Sequence, residues 1–278
     1  MVDTLAIIGV GLLGGSIALS VRKQRLARHI IGISRSQESL EVARQRGMID
    51  EGYLEIGEAC RSASLAIICT PVDHVASIAR SLLEQFPQMI VSDVGSTKAD
   101  IVREMDAAGP VASRFVGGHP LAGSEKNGPE HASDDLFQSR LMFLSPSIGT
   151  APATTALLTQ FWQALGSQVI EMEADQHDAI MAMTSHLPHL ASYSLANVTP
   201  LDFLQYSGTG LRTMTRLAGG DPTMWTAIAM SNRQHLLKGL ELYKQGLLQF
   251  EQALRAGDAA QLHQLFTQGK RTHHALGS

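Results

Sequence analysis

Residues 5–14 read Leu-Ala-Ile-Ile-Gly-Val-Gly-Leu-Leu-Gly, an apolar run that passes directly into the pattern G-x-G-x-x-G. The run predicts a buried strand, and the residues after the glycines predict a helix. Gly9 permits a tight turn, Gly11 lets a pyrophosphate approach the backbone, and Gly14 lets helix and strand pack closely. The stretch therefore predicts a dinucleotide site, and a purely structural turn is the alternative. The predicted cofactor contacts are Gly9, Gly11, Leu12, Leu13 and Gly14.

The end of the second predicted strand indicates which dinucleotide is bound. A site for NAD carries Asp or Glu there, about 20 residues beyond the glycines, to accept from the ribose 2′-hydroxyl. Here the strand leads into Ser34-Arg35-Ser36 without a carboxylate. A guanidinium and two hydroxyls suit a 2′-phosphate, so we expect NADP rather than NAD; a solvated Arg35 is the alternative. The predicted contacts in this half are Ser34, Arg35, Ser36, Thr70 and Pro71.

Residues 1–172 alternate short apolar runs with helix-length amphipathic stretches, as βαβ units do. The runs lack polar alternation, which is typical of strands buried on both faces of a mostly parallel sheet. We therefore predict an α/β fold with a Rossmann-type, doubly wound sheet in residues 1–172. The predicted strands are Leu5–Ile8, Ile30–Ile33, Leu65–Cys69, Met89–Asp93, Phe115–Gly118, Leu141–Ser145 and Val169–Met172.

Residues 173–278 contain no further β-rich run and are expected to form an all-helical domain. Asp221-Pro222 predicts a sharp helix start, and Gly257-Asp258 predicts a helix end followed by a new cap. Between them lies an apolar seam that packs either within its own domain or against a second copy in a homodimer. The seam consists of Leu236, Leu240, Tyr243, Leu247, Phe250 and Leu254.

Composition narrows the class of partner. The chain has 278 residues and a formal net charge of −4, which argues against a broad nucleic-acid surface. No apolar run reaches the roughly 20 residues of a membrane span, and the start does not resemble a signal peptide. Two cysteines without metal-ligand spacing indicate buried thiols in a reducing compartment. We expect a soluble, cytoplasmic protein with a small-molecule substrate.

Two polar segments follow predicted strands, where ligands bind in doubly wound folds. Residues 93–98 read Asp-Val-Gly-Ser-Thr-Lys, and Ser96 is either a ligand contact or a helix N-cap. Residues 117–125 contain Gly-His-Pro, and an imidazole in such a loop suits proton transfer near neutral pH. His119 is therefore a candidate base, although many loop histidines have no such role.

Two candidate groups lie in the helical half. His186 and His189 flank Pro188, which we expect to interrupt the helix; without an HExxH pattern, ligand contact is favoured over metal binding. Arg212 and Arg216 are four residues apart, so a helix would place both on one face to clamp a carboxylate. Solvated surface charges are the alternative reading of this pair.

Together these segments resemble the prephenate/arogenate dehydrogenase family of tyrosine biosynthesis. The Gly-His-Pro and His-Leu-Pro-His segments are more specific than the glycine loop, and all the segments occur in family order across nearly the whole chain. The segments that carry the resemblance are residues 9–14, 93–98, 118–123, 185–189, 215–216 and 221–225.

The resemblance implies roles for individual residues. His119 would take the proton of the ring hydroxyl, and Ser96 would touch the same hydroxyl near the nicotinamide. His186 would position the nicotinamide or a water, and His189 would lie beside the substrate side chain. The family's helical domain forms the dimer, which favours pairing through the apolar seam. The reaction aromatises the ring with loss of carbon dioxide, so it needs orientation and one base rather than a metal.

Arg216 would pair with the side-chain carboxylate, and Glu125 would be a polar gate. The sequence departs from the family pattern at two places. Ser34-Arg35 replaces the acidic residue of some NAD-using members, and Thr213 stands where some members carry an acidic residue three before the arginine. The extension-free chain resembles NADP-dependent, arogenate-specific members, and we expect no separate regulatory domain. The sequence alone leaves arogenate and prephenate both open.

Two other functional interpretations of the same predicted fold remain open. One is a β-hydroxyacid dehydrogenase or imine reductase, families that typically use a lysine in the helical domain or have no equivalent of the Gly-His-Pro loop. The other is a non-catalytic protein that senses NADPH and binds a partner. Turnover of prephenate or arogenate would distinguish the prephenate/arogenate dehydrogenase hypothesis from both alternatives.

Overall fold

The computed structural model describes residues 2–123 and 126–277. Within these ranges the strands are β1 (Val2–Ile8), β2 (Ala27–Ile33), β3 (Glu51–Tyr53), β4 (Leu65–Ile68), β5 (Ile90–Asp93), β6 (Phe115–Pro120), β7 (Leu141–Pro146) and β8 (Gln168–Glu171). They form one sheet in the order β3-β2-β1-β4-β5-β6-β7-β8. Of these neighbours, only β6 and β7 pair in antiparallel fashion.

The helices of the sheet region are α1 (Leu12–Gln24), α2 (Gln37–Gln45), α3 (Val75–Gln85), α4 (Ala99–Ala107) and α5 (Pro152–Ala164). A helical half follows, with α6 (Ala174–Met181), a π-helical segment (Ala182–His186), α7 (Leu187–Val198), α8 (Thr209–Thr215), α9 (Pro222–Ser231), α10 (Arg233–Ala256) and α11 (Ala259–Ala275). The predicted α/β fold with a mostly parallel sheet and a helical second half is confirmed.

The central strands are apolar because both faces of the sheet are covered. Ile7 and Leu65 belong to one buried cluster. Ile8, the residue after Ile7, and Ile68, three residues after Leu65, belong to a second. Side chains alternate between the two faces of a strand, so adjacent positions must all be apolar when both faces are buried. The seven predicted strands are all present. The eighth, β3, was missed because it is a three-residue edge strand with exposed side chains.

Two glycines of the first loop are required by close packing. Gly9 has a φ of +104°, and a Cβ there would lie 2.7 Å from the carbonyl oxygen of Cys69. A Cβ on Gly14 would lie 2.1 Å from the carbonyl oxygen of Gly9. Both positions therefore exclude larger residues, as the proposed tight turn and helix–strand contact require.

The described chain divides into two compact units, residues 1–232 and 233–278. The second contains α10 and α11, joined by Gly257 at a φ of +62° and by an N-cap at Asp258, whose carboxylate accepts from the Gln261 N–H at 2.9 Å. Those two helix signals were predicted correctly. The change from sheet to helices falls between β8 and α6, and the predicted domain boundary at residue 172 stays a prediction.

Within the second unit, large apolar side chains are exposed in the single chain. Phe250 and Phe266 pack together with ring centroids 5.3 Å apart, yet Phe266 itself remains exposed. Leu247 and Leu254, both members of the predicted seam, are also exposed. None of the helices in the described ranges combines the length and hydropathy that a bilayer crossing requires.

Candidate active site

The first loop leaves room for a ligand where a dinucleotide would approach. A Cβ at Gly11 would have no atom within 4 Å beyond those of its chain neighbours, in contrast to the crowded Gly9 and Gly14. Gly11 directly precedes α1, so the N–H groups of the first turn face this open space. Nearby, the buried Thr70 hydroxyl has no hydrogen-bond partner among the described residues. The residues present therefore fit a bound dinucleotide phosphate.

Arg35 lies exposed at the end of β2 and lines a cavity of about 830 Å³ together with Pro71. No hydrogen bond or ion pair of Arg35 occurs within residues 2–123 and 126–277. The Ser34 hydroxyl accepts from the Ser36 N–H at 3.2 Å, and the Ser36 hydroxyl caps α2 by accepting from Ser39 at 3.1 Å. Because both hydroxyls serve as acceptors locally, their O–H groups remain available to donate to a ligand.

A buried ion pair fixes the backbone beneath the candidate base. The Lys98 ammonium contacts Asp93, and both side chains are fully buried. Asp93 accepts from the N–H groups of Gly95 at 2.7 Å and Gly118 at 3.0 Å, while Lys98 donates to the Gly118 carbonyl at 2.7 Å. The pair therefore ties the end of β5 to β6, one residue before His119.

Ser96 lies in the turn between β5 and α4 and is half-buried. The alternative that it caps α4 is wrong, because the helix has Lys98 at its N-cap position and no side-chain cap from within its own turn. Its hydroxyl has no hydrogen bond to any other residue that the structure describes. Ser96 is therefore free to contact a ligand.

His119 is part of strand β6, not of a loop as expected. The strand runs to Pro120 because it pairs with β7, which places His119 opposite Phe143. The ring is 7% exposed, so it is held in a largely dry position. Its Nδ1 lies 2.9 Å from Nε2 of His177. A rigid strand, rather than a flexible loop, therefore positions the candidate base.

His177 and Asp178, both in α6, extend this contact into a chain of three groups. His177 Nδ1 lies 2.8 Å from Asp178 Oδ1, and both side chains are buried. The Asp178 carboxylate also accepts from the backbone N–H groups of Lys98 at 2.7 Å and Ala99 at 2.9 Å. It therefore caps α4 from outside, where the helix dipole favours negative charge.

The chain of contacts assigns the tautomer of each histidine. A carboxylate only accepts hydrogen bonds, so a His177 ring with one hydrogen donates from Nδ1 to Asp178 and accepts at Nε2. His119 must then donate from Nδ1, which leaves the lone pair on its Nε2. Burial, followed by the electrostatic influence of the neighbouring His177, Lys98 and His186, holds the pKa of His119 well below 6.5. His119 is therefore a neutral imidazole with one nitrogen ready to accept a proton.

His186 and His189 lie where the π-helical segment passes into α7. Pro188 does not interrupt the helix as predicted, because it occupies the first turn of α7, where its missing N–H costs little. His189 stacks on Trp225 with ring centroids 3.5 Å apart. His186 Nε2 and His189 Nδ1 are both buried without a partner among the described residues. Such orphaned polar atoms are expected at a ligand site.

The two arginines do not share one α-helix as predicted. Arg212 lies in α8, which ends at Thr215, and Arg216 begins a 3-10 turn. Both are exposed, and neither has an ion pair within the described ranges. Arg216 lies close enough to His189 that its charge, after burial, lowers the pKa of His189. Glu125 lies outside the residues that the structure describes.

Three residues of this site were missed from the sequence: His177, Asp178 and Asn232. His177 and Asp178 sit in the polar stretch Asp175–Asp178, which resembles an exposed helix start, and no local signal marks them as buried. Among the described residues, no group of three or more His, Cys, Asp or Glu side chains is arranged so that it could hold a metal ion.

Comparisons with known proteins match nearly the whole chain. A family model described as "Prephenate dehydrogenase, nucleotide-binding domain" matches residues 17–171, and one described as "Prephenate dehydrogenase, dimerization domain" matches residues 173–268. The prephenate dehydrogenase of Bacillus subtilis (strain 168) is 31% identical over 281 residues, covering 97% of this chain and 75% of that relative.

Solved structures give the same result. Prephenate dehydrogenase from A. aeolicus, in complex with hydroxyphenyl propionate and NAD+, has a TM-score of 0.90 and 29% identity, with 98% of each chain covered. Synechocystis arogenate dehydrogenase has a TM-score of 0.79 and 30% identity, covering 98% of this chain and 99% of that one.

Proposed function

Because this chain belongs to the prephenate dehydrogenase family, we propose that it oxidatively decarboxylates arogenate or prephenate, with NADP as the hydride acceptor. As a member of that family, the protein is an oxidoreductase. The observation that carries the finer proposal is the buried, neutral His119, whose Nδ1 is engaged by His177 and whose Nε2 holds a lone pair. Such a group accepts a hydroxyl proton at neutral pH.

His119 Nε2 takes the proton from the ring hydroxyl of the substrate, and the Ser96 hydroxyl contacts the same oxygen. Bound NADP would supply the acceptor for the hydride that leaves the hydroxyl-bearing carbon. The ring carboxylate departs as carbon dioxide, its bonding electrons complete the aromatic ring, and the resulting phenolate oxygen recovers the proton from His119. Aromatisation drives the reaction, so the protein contributes orientation and one base.

The preference for NADP is supported by Arg35. Its guanidinium is exposed, lines the cavity beside Pro71, and has neither a hydrogen bond nor an ion pair in the described part of the chain. An uncommitted guanidinium at the end of β2 suits the dianionic 2′-phosphate, which it can contact through two parallel hydrogen bonds. Ser34 and Ser36 add hydroxyl donors beside it. Gly11 and Thr70 face the rest of the dinucleotide.

The substrate side chain is proposed to lie near His189, with its carboxylate on Arg216. This placement is supported by the proximity of Arg216 to His189 and by the exposed, unpaired state of the guanidinium in the described chain. Arg212 would add a weaker second charge. The dimer is proposed to form through α10, whose exposed Leu247 and Leu254 lie in the region matched by the dimerization-domain model.

We favour arogenate over prephenate, since the Ser34-Arg35 turn resembles that of NADP-dependent, arogenate-specific members. The similarity to Synechocystis arogenate dehydrogenase is compatible with this choice, although relatives described as prephenate dehydrogenases are equally similar.

The test is a four-way assay of NADP and NAD with arogenate and prephenate, followed at the absorbance band of the reduced nicotinamide. We expect turnover in all productive pairs to depend on His119, with kcat/KM greatest for NADP and arogenate. Absence of turnover in all four combinations would overturn the dehydrogenase proposal. A higher kcat/KM with NAD would overturn only the cofactor assignment, and a higher value with prephenate only the substrate assignment.

A further inference from the structure

Asn232, directly after α9, contacts two residues of the candidate site, Asp178 and His186. Its side chain is buried, with the residue only 2% exposed. The amide nitrogen Nδ2 lies 2.7 Å from the backbone carbonyl oxygen of Asp178 and 3.0 Å from Nδ1 of His186. One side chain thus touches the residue that orients the His177–His119 pair and the histidine on the other side of the site.

The orientation of the amide follows from its partners. A backbone carbonyl oxygen only accepts hydrogen bonds, so the atom of Asn232 that faces Asp178 must be the nitrogen. That nitrogen carries two hydrogens, one for the carbonyl and one for His186. Nδ1 of His186 must therefore be the accepting, unprotonated nitrogen, and the ring hydrogen must lie on Nε2.

The charge state of His186 agrees with this assignment. Burial lowers the pKa of His186 to about 4, so the ring carries one hydrogen at neutral pH. The titratable groups that act on it are Asp178, which favours protonation, and His177 and His189, which oppose it. Trp225 presents only a ring, with its centroid 6.2 Å from that of His186.

The donor that Asn232 creates is not used within the described protein. His186 Nε2 is buried and has no hydrogen-bond partner there. A buried N–H without a partner is costly, so proteins retain one where a ligand completes it. The acceptor that fits is a carbonyl or carboxylate oxygen, which the proposed cofactor carries on its carboxamide and the proposed substrate on its acid groups.

We propose that Asn232 is a positioning residue that fixes His186 as a neutral Nε2–H donor toward a carbonyl or carboxylate oxygen of the ligand. The inference rests on the proposed function for the identity of that ligand. Through its second hydrogen, Asn232 also holds the Asp178 backbone. The two histidines consequently present opposite polarity to the ligand: a lone pair from His119 and a hydrogen from His186.

The tautomer can be measured without ligand and without turnover. In the full chain labelled with ¹⁵N-histidine, at pH 7.5, we expect His186 to show an unprotonated Nδ1 and a protonated Nε2. The resonances are assigned by their loss in His186→Gln. A protonated Nδ1 in the wild-type protein would overturn the proposal whatever the enzyme turns over. A correct tautomer with no activity would instead reject the proposed function.

Asn232→Asp provides the second arm. A carboxylate at this position cannot donate, so it should draw a proton onto Nδ1 of His186 and raise the pH at which the ring titrates. Loss of a matched donor to the carbonyl or carboxylate oxygen of the ligand predicts a fall in kcat/KM of roughly 10- to 100-fold. The fall should deepen across the pH range in which His186 now titrates, a pattern that a simple packing defect would not produce.

The matched control is Asn197→Asp, the same change at an exposed position on α7. It should leave the His186 resonances unchanged and kcat/KM within about twofold of wild type. If Asn232→Asp fails to fold, the wild-type spectrum still shows which nitrogen of His186 carries the hydrogen, and a protonated Nδ1 there overturns the proposal. If it folds with the wild-type tautomer and pH profile, Asn232 does not set the polarity of His186.

Discussion

The polar groups of the candidate site fall into two sets that are built in opposite ways. His119, His177 and Asp178 are buried and hydrogen-bonded to one another and to the backbone of α4. Arg35 and Arg216 are exposed, and neither has an ion pair among the described residues. The first set has its protonation and orientation decided by the fold. The second set acquires its geometry only when an anionic ligand arrives.

This difference predicts different kinetic consequences. A buried group that loses its partner leaves a second group unsatisfied, so a substitution there changes both the chemical step and the stability. An exposed arginine can be removed without such a cost, so its loss should affect ligand affinity alone. The following variants test whether the two sets separate in this way.

His119→Asn should have the largest effect. It removes the only nitrogen proposed to take the hydroxyl proton, and general-base removal costs about 10²-fold or more in kcat. The KM for cofactor should stay near wild type, because the proposed cofactor contacts in the glycine loop and at Arg35 are unchanged. Steady-state kinetics with saturating cofactor measures both constants. Full activity in this variant would remove His119 from the chemistry. The control is His29→Asn, the same change at a histidine of β2 outside the candidate site, which should leave kcat unchanged.

Asp178→Asn should have the next largest effect. An asparagine has one acceptor oxygen and no charge, so it holds the His177 Nδ1–H less strongly than the carboxylate does. Where its NH₂ group faces His177 instead, the donor–acceptor order reverses and His119 Nε2 loses its lone pair. A reversed tautomer in a comparable carboxylate–imidazole pair is strongly inhibitory, and here, one histidine further away, we expect about 10- to 100-fold in kcat. Stability should also fall because α4 loses a charged cap. A fall in stability with kcat unchanged would show that the pair is structural only.

The separation of the two sets also explains what the sequence could predict. The glycine loop was predictable because its strand, turn and helix are contiguous in residues 5–24. His119 and His186 were predictable because each lies in a short, distinctive segment. The contacts that give them their protonation states join residues 58, 80 and 46 positions apart, namely His119–His177, Lys98–Asp178 and His186–Asn232.

Contacts between residues so far apart in the sequence produce no periodic pattern in the sequence from which they could be predicted. Asp178 follows His177 in a polar stretch, and only the packing of α6 against α4 and β7 makes both residues buried. The strand assignment of His119 had a similar cause, since β6 extends through Gly-His-Pro only because β7 pairs with it. The glycines and proline around His119 predicted a loop, but pairing with β7 makes the segment a strand.

Arg216→Ala should raise the KM for substrate about tenfold or more, with kcat and the unfolding temperature nearly unchanged. The reason is the loss of charge-assisted hydrogen bonds to a carboxylate from a residue that stabilises nothing else in the described chain. Arg212→Ala should have a smaller effect on the same constant. If kcat fell while KM stayed constant, Arg216 would belong with the buried set, and the comparison would fail for the substrate side.

Arg35→Ala should lower the preference for NADP over NAD by several-fold to about tenfold, mainly through the KM for NADP. The KM for NAD should change little, because a 2′-hydroxyl offers no charge for the guanidinium. Arg255→Ala, an exposed arginine on α10 paired with Glu251, is the control for the loss of one positive charge. An equal loss of affinity for both cofactors would place Arg35 away from the 2′-position.

The smallest effect concerns stability and pH. The pKa of His186 is lowered from 6.5 to about 4 in the folded protein, so between these values the unfolded chain binds more protons. Stability is therefore complete above about pH 6.5 and is lost as the pH falls, by on the order of 2 kcal/mol between pH 6.5 and pH 5 from this group. The lowered pKa of His119 acts in the same direction.

Urea denaturation at pH 5.0 and 7.5 measures this loss. His186→Asn should show a shallower dependence on pH than wild type, since the substituted side chain does not titrate in this range. Arg35→Ala should keep the wild-type dependence, because an exposed arginine gains and loses no protons there. If both variants kept the wild-type slope, His186 would not be held neutral by burial. The distinction between the buried, hydrogen-bonded set and the exposed arginines would then rest on their geometry alone and not on their protonation.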